Sequence, residues 1–157
     1  MNWIDKAKDN RTDKRFKRDF YKGTKVERAV MVAFTTWYKA HGIDCYSEKI
    51  GEDVFLERHD EPDYYFYKPE QHTLEIKYTF TGKFKDNIIA IRPSVIYKMK
   101  NNEYPNGKVL VATPYEFSTI DVEKLDKCEY FKHWNKKCFQ VNRDDLKWFN
   151  WVTPLVI

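Results

Sequence analysis

The stretch EPDYYFYKPEQHTLEIKYTF, Glu61 to Phe80, decides how the rest of the chain is read. Two runs rich in aromatic and β-branched residues, Tyr64 to Tyr67 and Thr73 to Thr79, flank Lys68-Pro69-Glu70-Gln71, which predicts two strands and a hairpin turn. Asp63 stands at the mouth of the first strand, and Glu75 and Lys77 stand inside the second. Side chains alternate along a strand, so Glu75 and Lys77 share a face while Ile76 points away into the core. One reading is a cross-strand salt bridge on a wet face. In the other reading, two carboxylates directed at one spot repel each other unless a cation sits between them. Hard oxygen ligands select Mg²⁺ or Mn²⁺. Asp63 and Glu75 are then the candidate metal ligands, with the Ile76 carbonyl as a further one. The Lys77 ammonium would orient a water or steady developing phosphate charge.

Upstream, YKGTKVERAVMVAFTTWYKAHGIDC carries apolar residues at helical spacing: Val26, Ala29, Val30, Ala33, Phe34, Trp37 and Tyr38. Gly23-Thr24 is expected to open this helix, with Thr24 as N-cap and Glu27 three residues on, and His41-Gly42 to close it. Downstream, a strand is expected at Asp44 to Glu48. Asn87 to Ile91 is either a strand or the approach to a helix. A helix is expected from Ser94 to Tyr104, behind Pro93. KVLVAT, Lys108 to Thr113, is a continuous apolar run of the kind buried on both faces of a sheet. Short helices are expected at Asp121 to Asp126 and Arg143 to Phe149, and a late strand at Lys137 to Val141. Trp148, Phe149 and Trp151 are expected to pack back on the body. The order makes a mixed α/β single domain.

At 157 residues the chain suits one domain with a real core. The net charge of +4 is uneven: residues 1–28 hold ten Lys or Arg against five Asp or Glu, and the remainder is nearly neutral. Such an arm favours a polyanion, with a solvated tail as the plain alternative. No apolar run approaches the roughly 20 residues of a membrane helix, and Met1 is followed by charge and not by a leader-like run. The three cysteines, Cys45, Cys128 and Cys138, are odd in number and widely spaced, which fits a reducing cytoplasm. Cys128, His133 and Cys138 lack the tighter pairs and fourth ligand of a zinc site. His59 and His72 flank the central motif and are read as surface residues, and Tyr64 to Tyr67 as packed strand residues in preference to base-stacking ones.

Pro62-Asp63, eleven intervening residues and Glu75-Ile76-Lys77 resemble the signature of the PD-(D/E)XK nuclease superfamily. KGTKVERAV…HGID, Lys22 to Asp44, is similar to the opening helix of archaeal-type Holliday junction resolvases. The resemblance spans about Lys22 to Thr79, with the later helix and strand fitting more loosely. It leaves the basic arm and the aromatic C-terminus after Cys128 unexplained. No glutamine follows Lys77 at the spacing some RecB-like members carry, which sets the chain outside that branch. The resemblance implies a restriction-endonuclease-like α-β-β-β-α-β core, with a mixed central sheet flanked by helices. It implies that Asp63 and Glu75 bind Mg²⁺ or Mn²⁺, that Glu27 completes the metal shell, and that Lys77 acts on the water or the transition state. For Glu27 the competing role is the capping box with Thr24. DNA phosphates would be held by Lys22, Lys25 and Arg28, by Arg11, Lys14, Arg15, Lys17 and Arg18 of the arm, by Lys83 and Lys85 after the third strand, and by Thr79, two residues beyond Lys77 on the same face.

The expected protein is therefore a metal-dependent endonuclease acting on DNA, with a basic arm at residues 1–21 and a nuclease domain at 22–157. A junction-resolving enzyme would be a homodimer, so that two strands are cut symmetrically. Small size and high charge suit a phage or mobile-element nuclease, acting in the host cytoplasm if viral. The alternatives are a nucleic-acid-binding protein that keeps the fold without cutting, and a metal-dependent ribonuclease, since phosphate contacts do not read the sugar.

Overall fold

Strand β5 (Lys108–Ala112) shows the layering of the protein. Its buried residues alternate between two cores: Leu110 and Ala112 face one, Val109 and Val111 the other. This is the double burial expected of KVLVAT. The computed structural model describes residues 13–50, 63–100 and 106–157.

Around β5 runs a six-stranded mixed sheet in the order β1-β2-β3-β5-β6-β9. It comprises β1 (Tyr46–Lys49), β2 (Tyr64–Lys68), β3 (His72–Tyr78), β5, β6 (Glu116–Asp121) and β9 (Phe149–Asn150). The first three strands form an antiparallel meander, β3 and β5 are parallel, and β6 and β9 return antiparallel. Parallel neighbours need a crossover. Here it is supplied by β4 (Ile88–Ile91) and helix α2 (Pro93–Lys100). β4 leaves the main sheet and pairs with β8 (Lys136–Asn142), which pairs with β7 (Cys128–Phe131), making a second, three-stranded sheet. The result is the α-β-β-β-α-β core expected from the sequence, a mixed sheet flanked by helices.

Helix α1 (Asp13–Ala40) covers one face of the main sheet. Val26, Val30, Met31 and Phe34 are buried along it, with Ala33, Trp37 and Tyr38 packed beside them. Phe34 meets Tyr38, Phe66 and Phe117 edge to face at 4.9, 5.7 and 5.3 Å. Phe34→Ala is expected to cost about 3–5 kcal/mol, lost transfer energy plus a cavity, measured by urea unfolding. The helix ends as expected at His41-Gly42. Gly42 takes a φ of 68°, its N–H donates to the Lys39 carbonyl and that of Ile43 to the Tyr38 carbonyl. These two bonds are the Schellman pattern.

Its start differs from the expectation. Among the described residues α1 already runs from Asp13, so Thr24 lies inside the helix and is no N-cap. A mid-helix Gly23 costs only about 1 kcal/mol relative to alanine. Lys and Arg propagate helix well, and no proline interrupts the run. The boundary drawn at Lys22 therefore falls within a continuous helix.

Other differences lie late in the chain. β6 was not expected; its pattern is disguised by buried Ser118, whose Oγ donates to the Lys147 carbonyl at 2.7 Å. β7 was likewise not expected. The helices expected at Asp121–Asp126 and Arg143–Phe149 are single 3₁₀ turns, Val122–Lys124 and Arg143–Asp145. The Asn142 side chain accepts from the Asp144 N–H at 2.9 Å, and the Trp148 indole donates to the Arg143 carbonyl at 2.9 Å. These local bonds replace a helix ladder. Trp148, Phe149 and Trp151 do pack on the body. His72, expected at the surface, is buried: its ring stacks on Phe66 at 4.8 Å and its Nδ1 bonds the Glu70 carbonyl at 3.0 Å. His59, Pro62 and the end of the helix expected to reach Tyr104 lie outside the described residues.

Candidate active site

Asp63 immediately precedes β2, and Glu75 and Lys77 lie in β3. Parallel pairing sets Glu75 beside Val109 and Lys77 beside Val111, so both side chains leave the sheet on the face covered by α2 and the small sheet. The common face of Glu75 and Lys77 is as read from the sequence. Asp63 is fixed by the next strand: its Oδ2 accepts the Ile76 N–H at 3.0 Å. The described bond of Ile76 in the cluster is thus made by its amide.

A lysine that sequence reasoning did not single out completes the arrangement. Lys98 of α2 reaches across and pairs with Glu75 Oε1 at 2.8 Å, with side-chain exposures of 18% and 13%. The other carboxylate oxygen of Glu75, Oε2, is buried with no hydrogen-bond partner among the described residues. Glu27 approaches from α1, half-buried, with Lys49 at 3.8 Å. Free of the expected capping role, its side chain turns to this cluster.

The electrostatics follow from the crowding of buried carboxylates. Burial and then the Asp63 charge push the Glu75 carboxyl up to about 8. The same two causes push Glu27 up to about 7, against the pull of Lys49 and Lys98. Burial also raises Asp63, opposed by Lys98 and the Ile76 amide. For Lys98, burial disfavours the charge, but Glu75, Asp63 and Glu27 outweigh it and hold the ammonium above its ordinary value. Lys77 behaves differently. Burial and the neighbouring Arg92 lower it, and it makes no ion pair with Glu75 among the described residues. Its Nζ lies 5.5 Å from the Trp134 ring centre. Beside it opens a cavity of about 250 Å³, lined in part by Glu75, Lys77, Arg92 and Trp134.

Among the described residues no three His, Cys, Asp or Glu side chains are gathered in a geometry ready for a metal ion. The donor chemistry nevertheless fits a hard divalent cation. Carboxylate oxygens are its preferred ligands, and a buried carboxylate oxygen without a partner is the kind of orphan such an ion satisfies. Lys98 supplies the positive charge that a cation there would take over. His133 pairs with Asp86 at 2.7 Å, away from any zinc role with Cys128 and Cys138.

The remaining candidates are dispersed. Lys14, Lys25 and Arg28 are exposed on α1, and Lys83 and Lys85 are exposed between β3 and β4. Thr79 follows β3, its hydroxyl 3.3 Å from that of Thr81. Arg15, Lys17, Arg18 and Lys22 belong to the backbone of α1, and Arg11 lies outside the described residues. Lys98, Arg92 and Trp134 were missed. The available signal for Lys98 was its place three residues after Val95, at the edge of the apolar stripe of a short helix. Arg92 and Trp134 reach the cavity from the head of α2 and the β7–β8 turn, which local sequence does not bring together.

Comparison of the sequence with known protein families and with curated proteins finds no match. Among solved structures the fold is similar to that of a Holliday junction resolvase from Archaeoglobus fulgidus, an archaeal hyperthermophile. The TM-score is 0.52 at 13% identity, over 77% of this chain and 88% of that one. The shared feature is the fold. No helix among the described residues is long and apolar enough to cross a membrane.

Proposed function

We propose that the protein is a metal-dependent endonuclease that hydrolyses DNA phosphodiesters, with branched or junction DNA as its preferred substrate. The observation that carries this reading is the partnerless buried oxygen of Glu75, set in a carboxylate cluster beside Lys77 at the mouth of an open cavity. The likeness to a junction resolvase supports the choice of substrate.

Asp63, Glu75 and Glu27 would hold Mg²⁺ or Mn²⁺, with the Ile76 carbonyl as a further ligand. When bound, such an ion polarises the phosphoryl oxygen and lowers the pKa of coordinated water. The Ile76 amide orients Asp63. Lys77, its pKa lowered by burial, would hold the attacking water or meet charge building on the phosphate. Lys98, paired with Glu75, would offset the carboxylate charges in the metal-free protein. Lys25 and Arg28, Lys14 and the rest of the basic arm, and Lys83, Lys85 and Thr79 would hold the flanking backbone, a sequence-independent and salt-sensitive contribution. A homodimer would present two such sites to the two strands of a junction.

A second reading has its own support. Lys98 already neutralises Glu75 without a metal, as would suit a binding protein that no longer cuts. Labelled four-way junction, duplex, single-stranded DNA and RNA, each incubated with Mg²⁺, Mn²⁺ or EDTA, separate the possibilities. Cutting of junction DNA only with metal supports the proposal. Cutting of RNA alone makes the protein a ribonuclease, and binding without cutting of any substrate favours the second reading.

A further inference from the structure

The cavity beside Lys77 has a composition that phosphate hydrolysis alone does not call for. Its walls include three aliphatic side chains, Ile91 from β4, Val95 from α2 and Val109 from β5. Its rim carries the Trp134 indole and two cationic side chains, Lys77 and Arg92. A phosphate needs the cations, and it needs neither the indole nor the apolar wall.

Trp134 stands on the turn between β7 and β8, part of the small sheet that β4 and α2 lay against the main one. Its N–H donates to the Phe131 carbonyl at 3.1 Å, and its ring meets Phe131 edge to face at 5.4 Å, which fixes the turn. The residue remains 37% exposed, with Lys77 Nζ 5.5 Å from its ring centre, which leaves aromatic surface beside the cavity that a planar group can cover. The cavity, at about 250 Å³, falls just under the roughly 300–1,000 Å³ of sites for drug-sized ligands. It suits one small planar group and not a longer stretch of strand.

We infer that this cavity is a pocket for a single unpaired nucleobase, stacked against Trp134, with its flanking phosphates on Lys77 and Arg92. Glu75 lines the same cavity, so the captured base lies next to the bond the cluster addresses. The inference rests on the nuclease reading for that adjacency alone. It explains a preference for DNA in which bases are unstacked, as at branch points, without any base-edge contacts. Stacking on an aromatic face is tolerant of base identity, so the preference is for an unpaired base and not for a sequence.

The test is binding, measured by fluorescence anisotropy in EDTA so that no strand is cut. Two duplexes are compared, identical except that one carries a single unpaired adenine and the other an abasic site at the same position. The native protein is expected to bind the adenine duplex about five- to 150-fold more tightly, the range for one stacked base. Trp134→Ala brings the ratio close to one, and Trp134→Phe, which keeps an aromatic face, retains most of it. A native ratio near one, or a ratio that survives in Trp134→Ala, overturns the pocket. If the ratio depends on Trp134 but no substrate is ever cut, the pocket stands and the nuclease reading fails. If junction DNA is cut with metal and the native ratio is one, the nuclease reading stands and the pocket fails. A protein that binds neither duplex overturns the pocket, and the nuclease reading is then decided by cutting of junction DNA with metal.

Discussion

Alanine at Asp63 or at Glu75 lowers metal-dependent strand cleavage by about 10²–10³-fold or more, and Lys77→Ala by a comparable factor. Each removes a group with a different place in the chemistry. Glu75→Ala removes the buried oxygen pair of which, among the described residues, Oε1 alone is engaged, by Lys98. Asp63 loses the carboxylate that the Ile76 amide orients. Lys77 loses the ammonium on the cavity side. Asp63→Ala and Glu75→Ala are expected to leave DNA affinity within a few-fold of native, because neither is proposed to hold the backbone, whereas Lys77→Ala is also expected to weaken binding by removing a cation from the cavity. The loss therefore appears in the turnover number, read from single-turnover time courses beside anisotropy titrations. A Lys77→Ala protein that cuts at the native rate would assign that side chain to the cavity alone.

The metal-free protein loses stability as pH rises from about 5 to about 8.5, and Lys98→Met makes that loss steeper. Glu27 and Glu75 titrate near 7 and near 8 when folded, against an ordinary value of 4.5. Between those limits the folded state binds more protons than the unfolded one, so unfolding free energy falls with rising pH. The stabilising contribution is whole below about 4.5 and is lost as pH passes through 7 and 8. Lys98 is charged in both states over this window. Removing it leaves buried carboxylates without their cation, which costs about 3–5 kcal/mol when they are ionised. At pH 5, where they are protonated, the cost is expected to be small. Urea unfolding in EDTA at pH 5 and 8.5, native against Lys98→Met, measures both effects. A difference independent of pH would show that Lys98 does not compensate these carboxylates. Added Mn²⁺ is expected to restore stability most at the higher pH, where its ligands are free of protons.

Much of this arrangement was legible because it is local. The hairpin from Asp63 to Tyr78 carries its own turn, its alternation and its charges within a short span, so the shared face of Glu75 and Lys77 follows from period two. The packed face of α1 and its Gly42 stop were legible for the same reason. The start of α1 was not, since Thr24 and Glu27 imitate a cap that the helix runs through. Lys98 was not legible either: its meaning depends on a crossover that carries α2 back over β3. The small sheet joins segments distant in sequence, β4 with β8, so nothing near Ile88 reveals its partner. His72 was misread because a buried histidine with a stacking ring and a carbonyl partner looks, in sequence, like any polar residue beside a turn.

The most direct test of the central claim is the number of Mn²⁺ ions bound per chain on a four-way junction. It is counted from the loss of the free-ion paramagnetic resonance signal, for the native protein and for Asp63→Ala/Glu75→Ala. The carboxylate cluster predicts at least one ion more in the native complex, held more tightly as pH rises. Equal numbers in the two complexes would contradict it and return Asp63, Glu75 and Lys98 to a purely structural ion-pair network.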